Sequence, residues 1–300
     1  MINLIFILLF PLFFLGIIPK VKAIMVGRKG KPILQNTRDF LKLLQKHEVI
    51  STNATLISRF APAAALAATL VAALFVPFIS TTAVFGFRGD FILLIYLLSM
   101  AKGMMVLAAM DSGSSFQGMG TSRELSFTAF LEPAFFLVIA AIIFSVGAGS
   151  IAELFARQSV VYLRVWDVFA SLFIAVALYI MMLVESARVP FDDPATHLEL
   201  TMIHEVMVLD FSGFSLALIH YTAALKMFIY ASLISHLIVP AKSSVWLYLL
   251  SLSLIYVFTG ILESLIARFR MNRNLELVLV PVCIAVLTLA VLVAKNSGAW

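Results

Sequence analysis

The chain has 300 residues, of which 62% are hydrophobic and 12% are charged, whereas soluble domains are only about 45–50% apolar, so an ordinary water-soluble fold is excluded. The formal net charge of +5 comes from basic residues beside apolar segments, which is typical of membrane loops and argues against a nucleic-acid-binding protein. A single cysteine, Cys283, excludes disulfides within the chain and cysteine-ligated iron–sulfur or zinc centres.

Apolar runs long enough to cross about 30 Å of hydrocarbon recur along the chain, and in a bilayer such runs are helical because unpaired backbone groups are costly there. We therefore predict an all-α integral membrane protein with about eight transmembrane helices in a single membrane domain, residues 1–300. The predicted spans lie near residues 2–22, 56–80, 91–110, 125–147, 166–185, 214–240, 244–267 and 275–294. The first run is followed, not preceded, by Lys20 and Lys22, so we expect a retained anchor.

Lysine and arginine are distributed unevenly between alternate loops. Fourteen of the 21 lie in the first, third, fifth and seventh loops and five lie in the others, while Lys102 and Lys226 fall inside spans. The positive-inside rule therefore predicts that the odd-numbered loops face the cytoplasm and that both termini are periplasmic or extracellular.

The first loop contains a helix-period pattern that begins at Asn36. Phe40, Leu43 and Leu44 form an apolar stripe, and charged side chains occupy the other faces. The pattern predicts an amphipathic interfacial helix at the level of the lipid head groups. Two roles are open for it: an interfacial anchor, or a docking platform for a soluble subunit.

The third loop, residues 111–124, is rich in glycine and serine. It is not a phosphate-binding loop, because Met119 and Gly120 follow Gly118 where such a loop has lysine and then serine or threonine. We predict a turn that connects two helices. Because glycine permits close backbone approach, this turn should pack tightly against a neighbour.

The fifth loop is the most acidic part of the chain, because six of the sixteen Asp and Glu residues lie between positions 185 and 210. Asp193 followed by Pro194 is typical of a helix start. The apolar face of that predicted helix is Leu198, Met202, Val206 and Leu209. Crowded carboxylates raise one another's pKa, which suits proton exchange near neutral pH. The six carboxylates are Glu185, Asp192, Asp193, Glu199, Glu205 and Asp210.

Ionisable residues inside the spans are a second functional signal, since each costs roughly 2.5–3.5 kcal/mol to insert and usually faces the bundle interior. They are Lys102, Glu132, His220, Lys226, His236 and Glu263. Glu263 and His236 lie near span ends, where their side chains could also reach the interface. For Glu132 we predict a relay role over a structural ion pair.

At these loops the sequence resembles the complex I subunit 1 family, the H-type membrane subunit of NADH:quinone oxidoreductases, and its homologues in energy-converting nickel–iron hydrogenases. The first-loop pattern matches at Arg28, Gly30, Pro32, Gln35, Asp39, Lys42, Leu43 and Glu48. The fifth-loop signature Glu-x-x-Arg-x-Pro-Phe-Asp-x-Pro matches at Glu185, Arg188, Pro190, Phe191, Asp192 and Pro194. Glu263 with the following Ala267, Arg268, Phe269 and Arg270 resembles a third element of the family.

Two departures favour one branch of that family. Quinone-reducing members carry further glutamates where this chain has Ala195, Thr196 and His197. The pattern at residues 111–124 is instead similar to the membrane subunits of formate hydrogenlyase and hydrogenase-4. The favoured function is thus the membrane-anchoring and coupling subunit of such a hydrogenase, itself without a catalytic residue. The alternatives are the quinone-binding subunit of a complex I relative and an independent secondary transporter.

The resemblance implies a subunit of the bacterial or archaeal cytoplasmic membrane that holds no cofactor or metal and anchors a soluble arm. The implied partners are the hydrogenase large and small subunits, an iron–sulfur protein and antiporter-like membrane subunits, with 4Fe–4S clusters and a nickel–iron (NiFe) centre on the partners. The implied proton or charge relay is Glu132, Glu185, Asp192, Glu199, Glu205, Asp210, Lys226 and Glu263. The implied docking residues are Arg28, Gln35, Asp39, Lys42, Asp111, Arg123, Glu124, Arg188, Arg268 and Arg270.

Overall fold

The computed structural model describes residues 2–49, 51, 54–78, 83–161, 165–193, 202–239 and 244–296, and within these ranges it is helical without strands. The helices are α1 Ile2–Leu15, α2 Ile17–Met25, α3 Gln35–Leu44, α4 Leu56–Leu74, α5 Asp90–Asp111, α6 Ser115–Val146, α7 Ile151–Val161, α8 Val165–Glu185, α9 His204–Met207, α10 Gly213–Ile238, α11 Val245–Leu265 and α12 Met271–Asn296.

Eight helical segments in the described ranges are long and apolar enough to cross a bilayer. α1 and α2 together form the first of them, and α4, α5, α6, α8, α10, α11 and α12 contribute one each. The predicted all-α membrane fold is therefore confirmed.

The centre of the bundle is α10, whose most apolar stretch is 83% buried, against 28% for that of α12. It packs against α1, α3, α4, α8 and α11. Phe228 of α10 stacks on Phe78 with 5.0 Å between the ring centroids and also meets Phe14 of α1. Polar residues on this helix, including Lys226 and Tyr230, are consequently held in the interior of the bundle.

Contacts between helix ends show that the odd-numbered loops meet at one end of the bundle. Lys22 in the last turn of the first span bonds Glu263 at the end of α11, and Asp192 after α8 bonds Arg268 before α12. At the other end, the Pro77 carbonyl after α4 lies 2.6 Å from His236 Nε2 near the end of α10. We call the end with α3, α9 and residues 265–271 the charged end.

The predicted amphipathic helix of the first loop is confirmed as α3. Phe40 and Leu43 are half-buried, whereas Leu41 and Lys42 are exposed. The Phe40 ring lies 5.4 Å from the Tyr221 ring on α10, so the apolar stripe of α3 covers the charged end of the bundle.

The connecting turn predicted over residues 111–124 is wrong, because α6 already begins at Ser115 and runs unbroken for 32 residues. The glycines do not end the helix, and Gly120 instead allows the α9 segment to pack closely against α6. A Cβ at Gly120 would lie 2.3 Å from Val206 Cγ1 and 3.0 Å from the Ile203 carbonyl oxygen of the α9 segment. The expected tight packing of these glycines is therefore confirmed at Gly120.

Two glycines on α6 should respond oppositely to substitution by alanine. The Cβ added by Gly118→Ala meets no atom within 4 Å, so we expect the higher helix propensity of alanine to raise the free energy of unfolding by up to about 1 kcal/mol. In Gly120→Ala the new methyl group would overlap the α9 segment, so this segment must shift. The substitution should therefore lower the free energy of unfolding by about 1–3 kcal/mol. Thermal midpoints of the purified chain in detergent measure both, and equal shifts for the two variants would contradict the close α6–α9 packing.

Most of the helix predicted to start at Asp193 falls on residues 194–201, which lie outside the described ranges. Of the described remainder only His204–Met207 is helical. Val206 is buried as predicted, but Leu209 is exposed. Asp192 fixes the start of α9, because its carboxylate accepts hydrogen bonds from the backbone N–H groups of Ile203 and His204 at 3.1 and 3.2 Å.

Candidate charge-relay site

Three helices bring a lysine and two glutamates together inside the bundle. Lys102 Nζ of α5 lies 2.6 Å from Glu185 Oε1 at the end of α8 and 3.2 Å from Glu124 Oε1 of α6. The three side chains are only 7–11% exposed. We call Lys102, Glu124 and Glu185 the ion cluster. In so buried a place each charge depends on the others, because removing one partner of a buried pair costs about 3–5 kcal/mol.

A second lysine balances the excess negative charge of the ion cluster. Lys226 on α10 is buried and lies within electrostatic range of both Glu124 and Glu185. Two lysines and two glutamates thus come from four helices that are distant in the sequence. The set is neutral overall when all four groups are charged, and its carboxylates can take up and release a proton.

Glu132 lies eight residues after Glu124 on the same helix, or about 12 Å at 1.5 Å per residue. It lines a cavity of about 10 Å³ together with Lys102, Glu185 and Tyr230, which is about the smallest space that holds one water. Glu132 therefore faces the bundle interior, next to the ion cluster, with Tyr230 of α10 completing the wall.

Glu263 forms a separate ion-pair group at the charged end. Its carboxylate lies 3.0 Å from Lys22 Nζ and 3.4 Å from Arg188. The Glu263 side chain is fully buried, so it does not reach out to the interface. These pairs join α2, the segment after α8, and α11.

Asp192 and Arg268 connect the fifth loop to the segment before α12, with 3.0 Å between Asp192 Oδ1 and the Arg268 guanidinium. Burial raises the pKa of the Asp192 carboxyl, while Arg268 and three backbone N–H groups act in the opposite direction. The Phe191 carbonyl accepts a 3.0 Å hydrogen bond from Asn274 of α12. The family-type Pro-Phe-Asp segment is thus fixed from both sides.

A cavity of about 990 Å³ opens between α1, α2, α3, α9 and α10. Its wall is largely apolar, with Leu12, Ile18 and Met227 among the lining residues, and it also includes His204 and Glu205. Burial lowers the pKa of His204, because the charged imidazolium is poorly solvated there. Because His204 also lies within electrostatic range of Glu124 and Lys226, it connects the cavity to the ion cluster.

The structure brings together only part of the predicted relay. Glu132, Glu185 and Lys226 lie at the ion cluster, and Glu205 lies on the cavity wall. Asp192 and Glu263 belong to the two loop-fixing ion pairs. Asp210 is exposed at the start of α10, away from the ion cluster, and Glu199 lies outside the described residues.

The docking residues predicted from the sequence have mixed positions. Arg28 lies on the rim of the large cavity, and Lys42 and Arg270 are exposed at the charged end. Several others bond within the chain: Gln35 with Asp39, Asp111 with Thr55 and Ser58, Arg123 with the Met202 carbonyl, Arg188 with Glu263, and Arg268 with Asp192. Placing Glu124 at a docking surface was wrong, because it is buried and paired with Lys102.

The sequence analysis left two members of the site unassigned. Lys102 was noted as an ionisable residue in a span but was not placed in the relay, although its position within α5 was the available signal. Tyr230 gave no signal, because a tyrosine in a span is most often ordinary packing. In the described part of the chain no three His, Cys, Asp or Glu side chains gather as metal ligands.

A family model described as NADH dehydrogenase matches residues 1–294. Hydrogenase-4 component C of Escherichia coli (strain K12) is 31% identical over 277 residues, which are 89% of this chain and 86% of that protein. Formate hydrogenlyase subunit 4 of the same organism is 30% identical over 122 residues, 41% of this chain and 40% of that protein. NADH-ubiquinone oxidoreductase chain 1 of Triticum aestivum is 26% identical over 194 residues, 62% of this chain and 58% of that protein.

One solved structure shares the fold over almost the whole length. It is described as the membrane-bound sulfane sulfur reductase, an archaeal respiratory membrane complex, and contains a chain that superposes with a TM-score of 0.83. The match covers 97% of both chains at 24% sequence identity. At that level of identity the match shows a common fold.

Proposed function

The chain belongs to the NADH dehydrogenase family, that is, to complex I subunit 1 and its homologues, and from this premise we propose that it is a membrane subunit of a complex I-like energy-converting complex. Within that class we propose the hydrogenase branch, because the match to hydrogenase-4 component C spans 89% of the chain. In this role the chain anchors a soluble nickel–iron and iron–sulfur arm at the charged end and carries protons towards antiporter-like partners.

The observation that carries the proposal is the row of buried and half-buried ionisable groups that starts at the large cavity. His204 and Glu205 lie on the cavity wall, the ion cluster follows, and Glu132 lies beyond it. Intramembrane charges of this kind usually serve an ion pathway, since their insertion is costly. A redox change in the bound arm would alter the charge near His204 and Glu205, and proton shifts along the row would pass that change to Glu132.

Docking of the soluble arm is testable at Arg270, which is exposed at the charged end. Arg270→Glu should weaken binding of the arm by about tenfold or more, because like charges across an interface cost several kcal/mol. The measurement is the nickel and iron retained per membrane subunit after affinity purification at physiological ionic strength. Arg88→Glu, an exposed arginine at the opposite end, is the matched control.

The same purification separates the competing functions. A secondary transporter would purify alone even as the unsubstituted chain, and that result would overturn the proposal. Equal metal content in the Arg270→Glu and Arg88→Glu preparations would show that the arm does not dock at this end.

A second candidate function is the quinone-binding subunit of a complex I relative. The large cavity favours it, since about 990 Å³ is at the upper end of the roughly 300–1,000 Å³ range of small-molecule sites. A photoreactive quinone analogue should then label Met227 or a neighbouring cavity residue, and NADH-oxidising subunits should co-purify. If the purified complex contains nickel and the quinone analogue does not label the cavity, the result supports the hydrogenase branch.

A further inference from the structure

A row of buried polar side chains leads from the α5–α6 turn to the ion cluster. Gln117, Thr121 and Glu124 follow one another at spacings of four and three residues and so share one face of α6. Ser112 in the preceding turn donates a hydrogen bond to the Gln117 side chain. All four residues are at least 90% buried. We call them the α6 polar row, and its last member, Glu124, bonds Lys102.

Two atoms of this row are buried without a hydrogen-bond partner in the described part of the chain: Gln117 Nε2 and Thr121 Oγ1. If the Gln117 amide were rotated by 180°, Oε1 would be unpartnered in place of Nε2, because Ser112 is the only side chain among the described residues that hydrogen-bonds the amide. An unsatisfied buried polar group costs about 1–3 kcal/mol. Two of them in succession indicate water, since buried waters bond such groups.

The outer end of the row meets a small hollow at the charged end. This hollow has a volume of about 20 Å³ and is lined by Glu48, Ser58, Ser112, Asp210 and Ser212, among others, so it can hold one water. Glu48 and Asp210 are exposed carboxylates at its mouth. Asp210, which lies away from the ion cluster, is therefore placed where a proton would enter.

The row is separate from the large cavity and narrow along its length. Val206 and Met207 of α9 press on Gly120 between Gln117 and Thr121. None of Ser112, Gln117, Thr121 and Glu124 lines the large cavity, whereas His204 and Glu205 do. The row therefore offers the ion cluster a route to solvent that does not pass through the large cavity.

We propose that the α6 polar row is a single-file water path that delivers protons from the solvent at the α5–α6 turn to Glu124. The proton enters at Glu48 and Asp210, passes Ser112, Gln117 and Thr121 by way of bound water, and reaches Glu124. This inference rests on the proposed function, in which the ion cluster carries protons, and it supplies the source of those protons.

Silver-ion accessibility of introduced thiols tests whether the path holds exchangeable water, because Ag⁺ is close in size to a water molecule. The background is Cys283→Ser, which removes the exposed cysteine. In the assembled complex, Thr121→Cys should react with Ag⁺ on the order of tenfold faster than Met105→Cys, because thiols in apolar surroundings are poorly ionised and inert. Met105 is the matched control because it is buried in an apolar cluster. The reaction is measured by denaturing the protein after the silver treatment and adding maleimide, which labels only the thiols that have not bound Ag⁺.

Equally slow reaction of the Thr121→Cys and Met105→Cys thiols with Ag⁺ would overturn the path. That result would mean that any water beside Thr121 is sealed in the protein and that Ag⁺ cannot reach it. That outcome leaves the proposed function untouched, because Glu132 and the ion cluster are tested separately.

A second variant tests the use of the path. Thr121→Val keeps the shape of the side chain and removes an unpartnered hydroxyl, so thermal stability should stay equal or rise, while proton translocation should slow by about tenfold as the water file is interrupted. A variant that is less stable but pumps at the normal rate would assign Thr121 a structural role and contradict the proposal.

Discussion

Lys102→Met should strongly destabilise the subunit, by about 3–5 kcal/mol, because it leaves Glu124 and Glu185 as two buried carboxylates without their shared counter-charge. Lys102 Nζ lies 2.6 and 3.2 Å from the two carboxylates, and among the described residues no other cation forms an ion pair with either of them. The expected result is a large fall in the thermal midpoint of the detergent-purified complex and in the amount of subunit in the membrane. The matched control is Lys46→Met, the same change at an exposed position just after α3.

The quadruple variant Lys102→Met, Glu124→Gln, Glu185→Gln, Lys226→Met separates stability from transport. It removes the ion cluster together with the lysine that balances it, and replacing a whole buried ion group by neutral side chains is often nearly neutral. We therefore expect it to recover most of the stability lost in Lys102→Met while remaining unable to move protons. If Lys102→Met were as stable as the Lys46→Met control, the ion cluster would not be a buried, interdependent unit.

The spans and α3 could be predicted from the sequence because their signals are local. A run of about 20 apolar residues has no alternative to crossing the bilayer as a helix, and the stripe of Phe40, Leu43 and Leu44 repeats with helix period. The resemblance to the subunit 1 family likewise rests on short motifs that can be read in place.

The partners within the site could not be predicted, because they are distant in sequence. Lys102 meets Glu185 across 83 residues, and Lys22 meets Glu263 across 241. Only the packing of α5, α6, α8, α10 and α11 decides these pairs. Glu124 was misplaced for the same reason. The glycines before it indicated a loop, whereas the approach of α9 to Gly120 shows that they permit a packed helix.

Glu132→Gln should leave electron transfer in the soluble arm intact and abolish proton translocation. Glutamine keeps the size of the side chain but cannot take up a proton, so the relay would end at the small cavity that Glu132 shares with Glu185 and Tyr230. Because the glutamate is half-buried and forms no ion pair within the described residues, we expect little loss of stability. The matched control is Glu276→Gln, the same change at an exposed position at the start of α12.

The most direct test is the number of protons moved per electron pair in sealed membrane vesicles, with the dye-linked activity of the soluble arm measured in the same preparation. The account predicts that Glu132→Gln retains the dye-linked activity and moves no protons, while Glu276→Gln matches the unsubstituted complex in both. An unchanged proton-to-electron ratio in Glu132→Gln would contradict a relay through the ion cluster.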